Sequence, residues 1–169
     1  LHPFIRNTVG SMDFGGSTLN RYYNAANREG GSRRVTSDVF ALATAVMFQS
    51  PVQHFALNPN KLKDAPAWAV DFMKKVPTTW NDVKFIDGYP GRYVIMARRH
   101  GDTWYVVGVN AQDETVETKI DLAQLGIEGE ITMYEDNDKL EGSVRQTKVG
   151  KRGEVAVSIP KNGAVVIIK

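Results

Sequence analysis

Residues 83–110, VKFIDGYPGRYVIMARRHGDTWYVVGVN, decide the fold of the carboxy-terminal half of the chain. Three segments rich in β-branched and aromatic residues, 83–86, 92–99 and 103–110, are separated by turn signals at residues 87–91 and 100–102. Such segments, joined by short turns that contain Gly, Pro and Asp, are typical of antiparallel hairpins. This stretch therefore predicts three consecutive strands.

Similar short segments continue to the end of the chain. Turns rich in Gly, Asn and Asp separate them, and we expect strands over residues 114–122, 130–135, 144–149, 154–159 and 164–168. Many short strands divided by such turns predict a small antiparallel β-sandwich. We place this sandwich at residues 78–169, with the boundary near residues 76–81.

The residues before this boundary have helical spacing instead. Ser37 and Asp38 are typical helix-capping residues, and apolar side chains then recur at helical spacing up to Met47, ahead of Pro51. So much of this helix is apolar that we expect it to be wedged between other elements. A second helix is predicted over residues 65–75, and a long polar, Gly-rich loop over residues 15–34.

The composition excludes several functions. The 169 residues carry 21 basic and 19 acidic side chains, so the chain lacks the strong positive field of a nucleic-acid-binding protein. The pairs Arg33-Arg34 and Arg98-Arg99 are interpreted as solvated surface arginines. The absence of cysteine excludes disulfides and iron–sulfur clusters, and the longest apolar run, residues 41–48, is too short to span a membrane.

Residues 3–13, PFIRNTVGSMD, contain the candidate site. Arg6, Asn7 and Asp13 lie among apolar residues, and burying such groups without partners is costly. They are therefore expected either to satisfy one another or to face a ligand cavity. Because this motif stands at the start of the chain, we expect the chain to be the tail of a longer protein.

Several motifs in a fixed order resemble glycoside hydrolase family 97, the exo-acting α-glucosidases and α-galactosidases of bacteria. They extend over more than half of the chain, which makes the combined signal specific. The resemblance is carried by residues 3–7 and 10–14, 50–55, 76–80, 85–91, 97–99 and 104–105. The chain departs from the family pattern at Ile5, Ser11 and Phe14, and at the glycines 15 and 16.

The resemblance implies an α+β fold. Members of the family have an amino-terminal β-sandwich, a central (β/α)₈ barrel and a carboxy-terminal β domain that is associated with oligomerisation. Residues 1–77 would then be a helical and loop remnant of the barrel, and residues 78–169 the carboxy-terminal antiparallel sandwich. Arg6, Asn7 and Asp13 match the family motif, and they are our candidates for lining the substrate end of the barrel.

The candidate site alone is not expected to be catalytic. Glycoside hydrolysis needs two carboxylates on either side of the scissile bond, and the motif region offers one, Asp13. No catalytic or metal-binding residue is therefore predicted in this chain, which we expect to be inactive by itself. The resemblance implies that the catalytic pair and calcium ligands lie upstream in the full-length enzyme.

Other interpretations remain open for individual residues. Arg6 and Asp13 are expected to form a buried ion pair, with direct contact to a sugar as the alternative. His54 is interpreted as a structural histidine, and Trp80 and Tyr89 as core or interface residues although aromatic rings also stack on sugars. The acidic residues 135–138 resemble a calcium loop in composition only, so a solvated turn is predicted.

The leading hypothesis is that the chain is the carboxy-terminal piece of an exo-acting α-glycosidase. It would complete the barrel wall, contact upstream barrel segments and support homo-oligomer assembly, while the full-length enzyme binds the oligosaccharide substrate. The family resemblance implies a periplasmic or secreted protein. The alternative is a freestanding β-sandwich module that binds a carbohydrate or a protein without catalysis.

Overall fold

The computed structural model describes residues 1–15, 19, 34–57 and 65–169. Within these residues three helices come first: α1 (Arg6–Val9), α2 (Asp38–Met47) and α3 (Ala67–Lys75). Eight strands follow: β1 (Asp82–Tyr89), β2 (Tyr93–His100), β3 (Thr103–Asn110), β4 (Val116–Asp121), β5 (Glu130–Asp136), β6 (Gly142–Lys148), β7 (Glu154–Ile159) and β8 (Ala164–Ile168). All eight predicted strands are present. Most of the predicted loop over residues 15–34 lies outside the described residues.

The strands form two antiparallel sheets. The larger sheet has six strands in the order β1-β2-β3-β8-β5-β6, so β1 and β6 are its edges. The smaller sheet pairs β4 with β7 and covers one face of the larger sheet. The predicted antiparallel sandwich is confirmed.

The central strands of the six-stranded sheet are covered on both faces, because the helices pack on the side opposite β4 and β7. Successive side chains of a strand point to opposite faces, so β2 contributes to two cores. Its Val94 and Met96 pack with α2 and α3, whereas Ile95 and Ala97 pack with β4 and β7. Two-sided burial explains the nearly continuous apolar runs of β2, β3 and β8. The domain therefore has three layers.

Helix α2 forms where its capping residues predict. The Ser37 hydroxyl oxygen accepts a hydrogen bond from the Phe40 N–H at 2.9 Å, and the helix ends at Met47, ahead of Pro51. Its residues from Val39 to Met47 are buried, apart from the half-buried Phe40. The helix is thus wedged against the sheet, as its apolar composition predicts. Helix α3 packs beside it through Ala69 and Phe72.

A barrel remnant is not present as such in the described residues. In the described residues before residue 78, parallel pairing is limited to one isolated bridge, Phe14 with Gln53, and these residues show no (β/α) repeat after it. The helices expected to surround a barrel instead join Val107 and Val166 of the sheet in one core. This core spans the expected boundary at residue 77, which stays a prediction. No helix in the described ranges is long and apolar enough to cross a bilayer.

Candidate functional site

The amino-terminal segment is held against the end of α2. The Met12 N–H donates to Gln49 O at 2.8 Å, and the His54 N–H donates to Phe14 O at 3.1 Å. Phe14 is buried, with its ring edge-on to those of Phe48 and Phe55 at centroid distances of 6.2 and 6.0 Å. These contacts fix the backbone on both sides of Asp13.

Arg6 and Asp13 meet in a shallow pocket of about 230 Å³, which we call the amino-terminal pocket. Ser11, Met12 and residues 50–52 complete its lining. Arg6 and Asp13 therefore line one hollow, and the lining of a substrate site by Arg6, Asn7 and Asp13 stays a prediction. Asp13 is the only carboxylate among the described residues that line this pocket.

The expected buried ion pair between Arg6 and Asp13 is not formed. Both side chains are exposed, and the Arg6 guanidinium donates to two backbone carbonyls, Ser11 O at 2.9 Å and Gly10 O at 3.4 Å. Exposed charges keep their hydration, so neither side chain requires the other as a partner. Arg6 braces the turn that follows α1 and leaves Asp13 open to solvent.

Asn7 is placed differently from the other two predicted residues. Its side-chain oxygen and nitrogen are both buried, and neither has a hydrogen-bond partner within the described part of the chain. It is not among the residues lining the amino-terminal pocket. A buried amide without partners is unfavourable. Asn7 therefore needs a hydrogen-bond partner from outside the described residues.

The histidines do not form a metal site. His54 is exposed, His2 packs edge-on against Phe48 at 5.3 Å, and His100 Nδ1 lies 2.8 Å from Thr79 O. Among the residues that the structure describes, no group of three or more His, Asp or Glu side chains is arranged to hold a metal ion. These residues do not fit a calcium site.

The carboxy-terminal residues decide the family. A model of the glycosyl-hydrolase 97 C-terminal family, described as an oligomerisation domain, matches residues 79–169, which is more than half of the chain. The chain belongs to glycoside hydrolase family 97. It corresponds to the carboxy-terminal portion of family members.

Known proteins resemble the chain over nearly its whole length. A probable retaining α-galactosidase of Streptomyces bingchenggensis is 31% identical over 163 residues, which are 94% of this chain and 23% of that protein. The crystal structure of a β-arabinopyranosidase is 51% identical, with a TM-score of 0.92, and the match covers all of this chain and 27% of that one. A family 97 enzyme from Pseudoalteromonas sp. strain K8, solved with acarbose, is 24% identical with a TM-score of 0.80; the match covers 99% of this chain and 27% of that one. The chain thus spans about a quarter of the length of these relatives.

Two aromatic residues of the family 97 motifs lie in different surroundings. Trp80 packs on the core between the helices and the six-stranded sheet, which we call the helix-side core. Its ring lies edge-on to Tyr105 at 5.5 Å, as predicted for a core residue. Tyr89 is exposed at the end of β1, where the Arg92 guanidinium lies 5.9 Å from its ring centroid. The interpretation of Tyr89 as a core or interface residue is therefore not supported within this chain.

Two charged residues that the sequence analysis interpreted as solvated are buried. Asp136, expected in a solvated turn, accepts hydrogen bonds from Ser37 Oγ at 2.5 Å and from the Ala164 N–H at 2.8 Å. Burial, the largest cause, raises the pKa of Asp136 to about 6. Arg98, expected at the surface, is 5% exposed, and desolvation lowers its pKa. The apolar residues 94–97 before Arg98 were the available signal that β2 is buried on both faces.

Proposed function

We propose that this chain is the carboxy-terminal part of a longer exo-acting glycosidase that hydrolyses α-galactosides or the related β-L-arabinopyranosides. The names of the α-galactosidase and β-arabinopyranosidase relatives support this substrate class. The two sugars share their ring stereochemistry and differ in the hydroxymethyl group on C5, so related sites accept them. α-Glucosides, the other substrate class that the sequence analysis expects, are the competing assignment.

One observation supports the proposal that this chain binds substrate while the rest of the enzyme supplies the catalytic groups. It is the composition of the amino-terminal pocket. It offers the Asp13 carboxylate, the Arg6 guanidinium and backbone groups. Glycoside hydrolysis uses two carboxylates, about 5 Å apart in retaining enzymes. The acid and the nucleophile or base therefore come from the rest of the enzyme, while Arg6 and Asp13 contribute substrate-binding groups at this pocket. Asn7 lies outside the pocket lining, and its part in substrate binding stays a prediction.

The role proposed for residues 1–77 is to complete the barrel wall of the longer enzyme. Phe14 and Gln53 pair in parallel, and α2 lies between them in the chain. A parallel pair linked through a helix is the repeating unit of a (β/α)₈ barrel. One bridge is too little to form a barrel alone, so neighbouring strands from upstream residues are needed.

The activity test compares the chain with the longer protein. We expect no turnover of 4-nitrophenyl α-galactoside, α-glucoside or β-L-arabinopyranoside by the chain alone, because its pocket holds one carboxylate. The longer protein should hydrolyse the α-galactoside and the β-L-arabinopyranoside.

In the longer protein, Asp13→Asn should raise KM with a smaller change in kcat, whereas Asp138→Asn in an exposed turn should change neither. Turnover by the repurified chain, or a longer protein that prefers the glucoside, would contradict the proposal.

Assembly is proposed to involve an apolar surface beside β1. Ile5 and Val9 of the amino-terminal segment are 62% and 85% exposed, and Phe85 of β1 is 57% exposed. Phe85 packs edge-on against Phe4 at 5.8 Å, which places the segment and the strand side by side. Clustered exposed apolar side chains mark interaction surfaces. The family description of residues 79–169 as an oligomerisation domain supports the same role.

Sedimentation of the purified chain tests this surface. We expect self-association in the micromolar range that Phe85→Lys weakens, because a charge cannot be buried there without a partner. The matched control is Val144→Lys, which changes a 40% exposed valine on the opposite edge strand, β6. A chain that sediments as a monomer at every concentration would favour the freestanding module instead.

Two further expectations are retained as proposals for the longer protein. The resemblance supports a periplasmic or secreted location and a calcium ion in the full-length enzyme. Since the described residues do not form a calcium site, its ligands would come from other parts of the protein.

A further inference from the structure

A second cavity, of about 470 Å³, lies between the amino-terminal segment and the start of β1. Ser11, Gln49 and Pro51 line one side, residues 78–83 line another, and Arg98 of β2 closes it. We call it the Arg98 cavity. Its volume is in the range of small-molecule sites and exceeds what a few trapped waters need.

The Arg98 guanidinium is buried and has no acidic partner among the residues that the structure describes. It is 5% exposed and makes one hydrogen bond, from Nη2 to Met47 O at 3.3 Å, while its Nε has no acceptor. None of the ion pairs formed within the described ranges includes Arg98. The carbonyl end of α2 at Met47 offsets part of the positive charge. The rest of that charge calls for an anion.

A second residue that lines the same cavity, Trp80, carries a buried donor. The Trp80 indole Nε1–H is fully buried and has no acceptor in the described part of the chain. Its ring is fixed by the edge-on contact with Tyr105. Buried donors in native proteins nearly always have acceptors, so unsatisfied donors on two residues that line one cavity indicate a missing acceptor group.

The charges around the cavity favour a singly charged anion. Asp82 also lines it, and its Oδ1 accepts a hydrogen bond from the Val83 N–H at 2.8 Å. This carboxylate would repel a phosphate dianion more strongly than a monoanion. The planar fork of an arginine matches the two oxygens of a carboxylate.

We propose that the Arg98 cavity is a carboxylate-binding site, with Arg98 as the residue that pairs with the carboxylate. The carboxylate comes either from a free organic acid or from an acidic side chain elsewhere in the longer protein. The Arg98 cavity shares Ser11 and Pro51 with the amino-terminal pocket, but the proposed carboxylate binding does not depend on the glycosidase function.

The first test uses the purified chain, labelled with 5-fluorotryptophan. The chain has three tryptophans, so Trp80→Phe assigns the Trp80 resonance. We expect sodium acetate to shift this resonance saturably, whereas sodium chloride at the same ionic strength does not. Arg98→Gln should abolish the shift. Arg99→Gln should preserve it, because the Arg99 guanidinium lies over the Trp104 ring instead, 5.7 Å from its centroid.

A second, conservative variant separates weaker acetate binding from loss of folding in Arg98→Gln. Arg98→Lys keeps the charge and loses the fork, so acetate should bind roughly tenfold more weakly, as measured by the shift and by the acetate-dependent rise in Tm. Equal shifts by acetate and chloride, or unchanged acetate binding in Arg98→Lys and Arg98→Gln, would overturn the proposal.

The second test identifies the source of the carboxylate by repeating the titration on the longer protein. If the carboxylate is a side chain of that protein, the Trp80 resonance already stands at the acetate-shifted position and does not respond. If it is a free acid, the resonance remains titratable. An unshifted resonance that does not respond to acetate would contradict both forms of the proposal.

Discussion

At the scale of single residues, Asp136 joins three parts of the domain. It ends β5, its Oδ2 accepts from the hydroxyl of Ser37 at the start of α2, and the same oxygen accepts from the Ala164 N–H in β8. Its other oxygen, Oδ1, is buried without a partner among the described residues. The carboxyl therefore links the helical layer to the sheet, but its charged form is poorly compensated.

This arrangement makes stability depend on pH in a defined direction. The folded pKa of Asp136, about 6, lies above the ordinary value of 3.8, so between these values the folded state holds a proton that the unfolded state has lost. The contribution of Asp136 is fully present below about pH 4 and is lost as the pH rises through 6. The loss is on the order of 3 kcal/mol, since one pH unit corresponds to about 1.4 kcal/mol.

Asp136→Asn should remove this part of the pH dependence. We expect the variant to be at least as stable as the unmodified chain at pH 7.5, and to gain less stability on acidification to pH 4.5. Urea unfolding at several pH values measures both free energies. The control is Asp138→Asn in the neighbouring exposed turn. Parallel pH profiles for Asp136→Asn and the unmodified chain would show that Asp136 is not the titrating group.

At the scale of elements, Gly142 allows the helices to approach β6 closely. A Cβ atom added there would lie 2.7 Å from Trp68 Cη2 of α3 and 2.9 Å from Val39 Cγ2 of α2. Trp68 is itself held against Tyr134, at a centroid distance of 6.0 Å. Neither side chain can withdraw without disturbing the helix-side core. A glycine at the start of β6 is therefore a packing requirement.

Gly142→Ala should destabilise the chain by about 1–3 kcal/mol, the usual cost of overpacking a core. The free energy of unfolding in urea measures the change. Gly15→Ala is the matched control, because nothing lies within 4 Å of its added Cβ and its φ is outside the left-handed region. The control should be neutral or slightly stabilising. Equal stability of the two variants would contradict the close contact.

At the scale of the whole molecule, the carboxy-terminal domain depends on the helices before it. The helix side of the six-stranded sheet presents Val107, Val109 and Val166 to α2 and α3. Removing the helices would leave these side chains exposed as one apolar surface, which is unfavourable in water. We therefore expect residues 78–169 to be less stable without the helices, although the domain boundary near residue 77 stays a prediction.

A fragment of residues 78–169 should unfold at a lower temperature than the whole chain and bind a hydrophobic dye such as ANS. A fragment of residues 34–169, which retains α2 and α3, should recover most of the stability. Thermal unfolding followed by circular dichroism and by dye fluorescence measures both effects. If residues 78–169 alone matched the Tm of the whole chain without binding dye, the shared core would have no stabilising role.

Part of the candidate site could be predicted from the sequence. Arg6 and Asp13 flank one tight segment, so their meeting in one pocket follows from their closeness in the chain. The exposure of both side chains could not be predicted, because it depends on which segments cover them. Nor could the burial of Arg98, since the sequence shows an Arg-Arg pair at the end of a strand without showing what lies over it.

The sequence by itself determined the elements of this protein: the Ser37 cap of α2, the short strand segments rich in apolar residues and the turns between them. These features depend on forces between residues a few positions apart, which a sequence displays directly. The tertiary structure alone decided which polar groups are buried and what they contact. Ser37 and Asp136 are 99 positions apart, and their hydrogen bond exists only because the helical layer folds onto the sheet. Burial is a property of the assembled layers, and so the chemistry that follows from it at Asp136 and Arg98 is decided there.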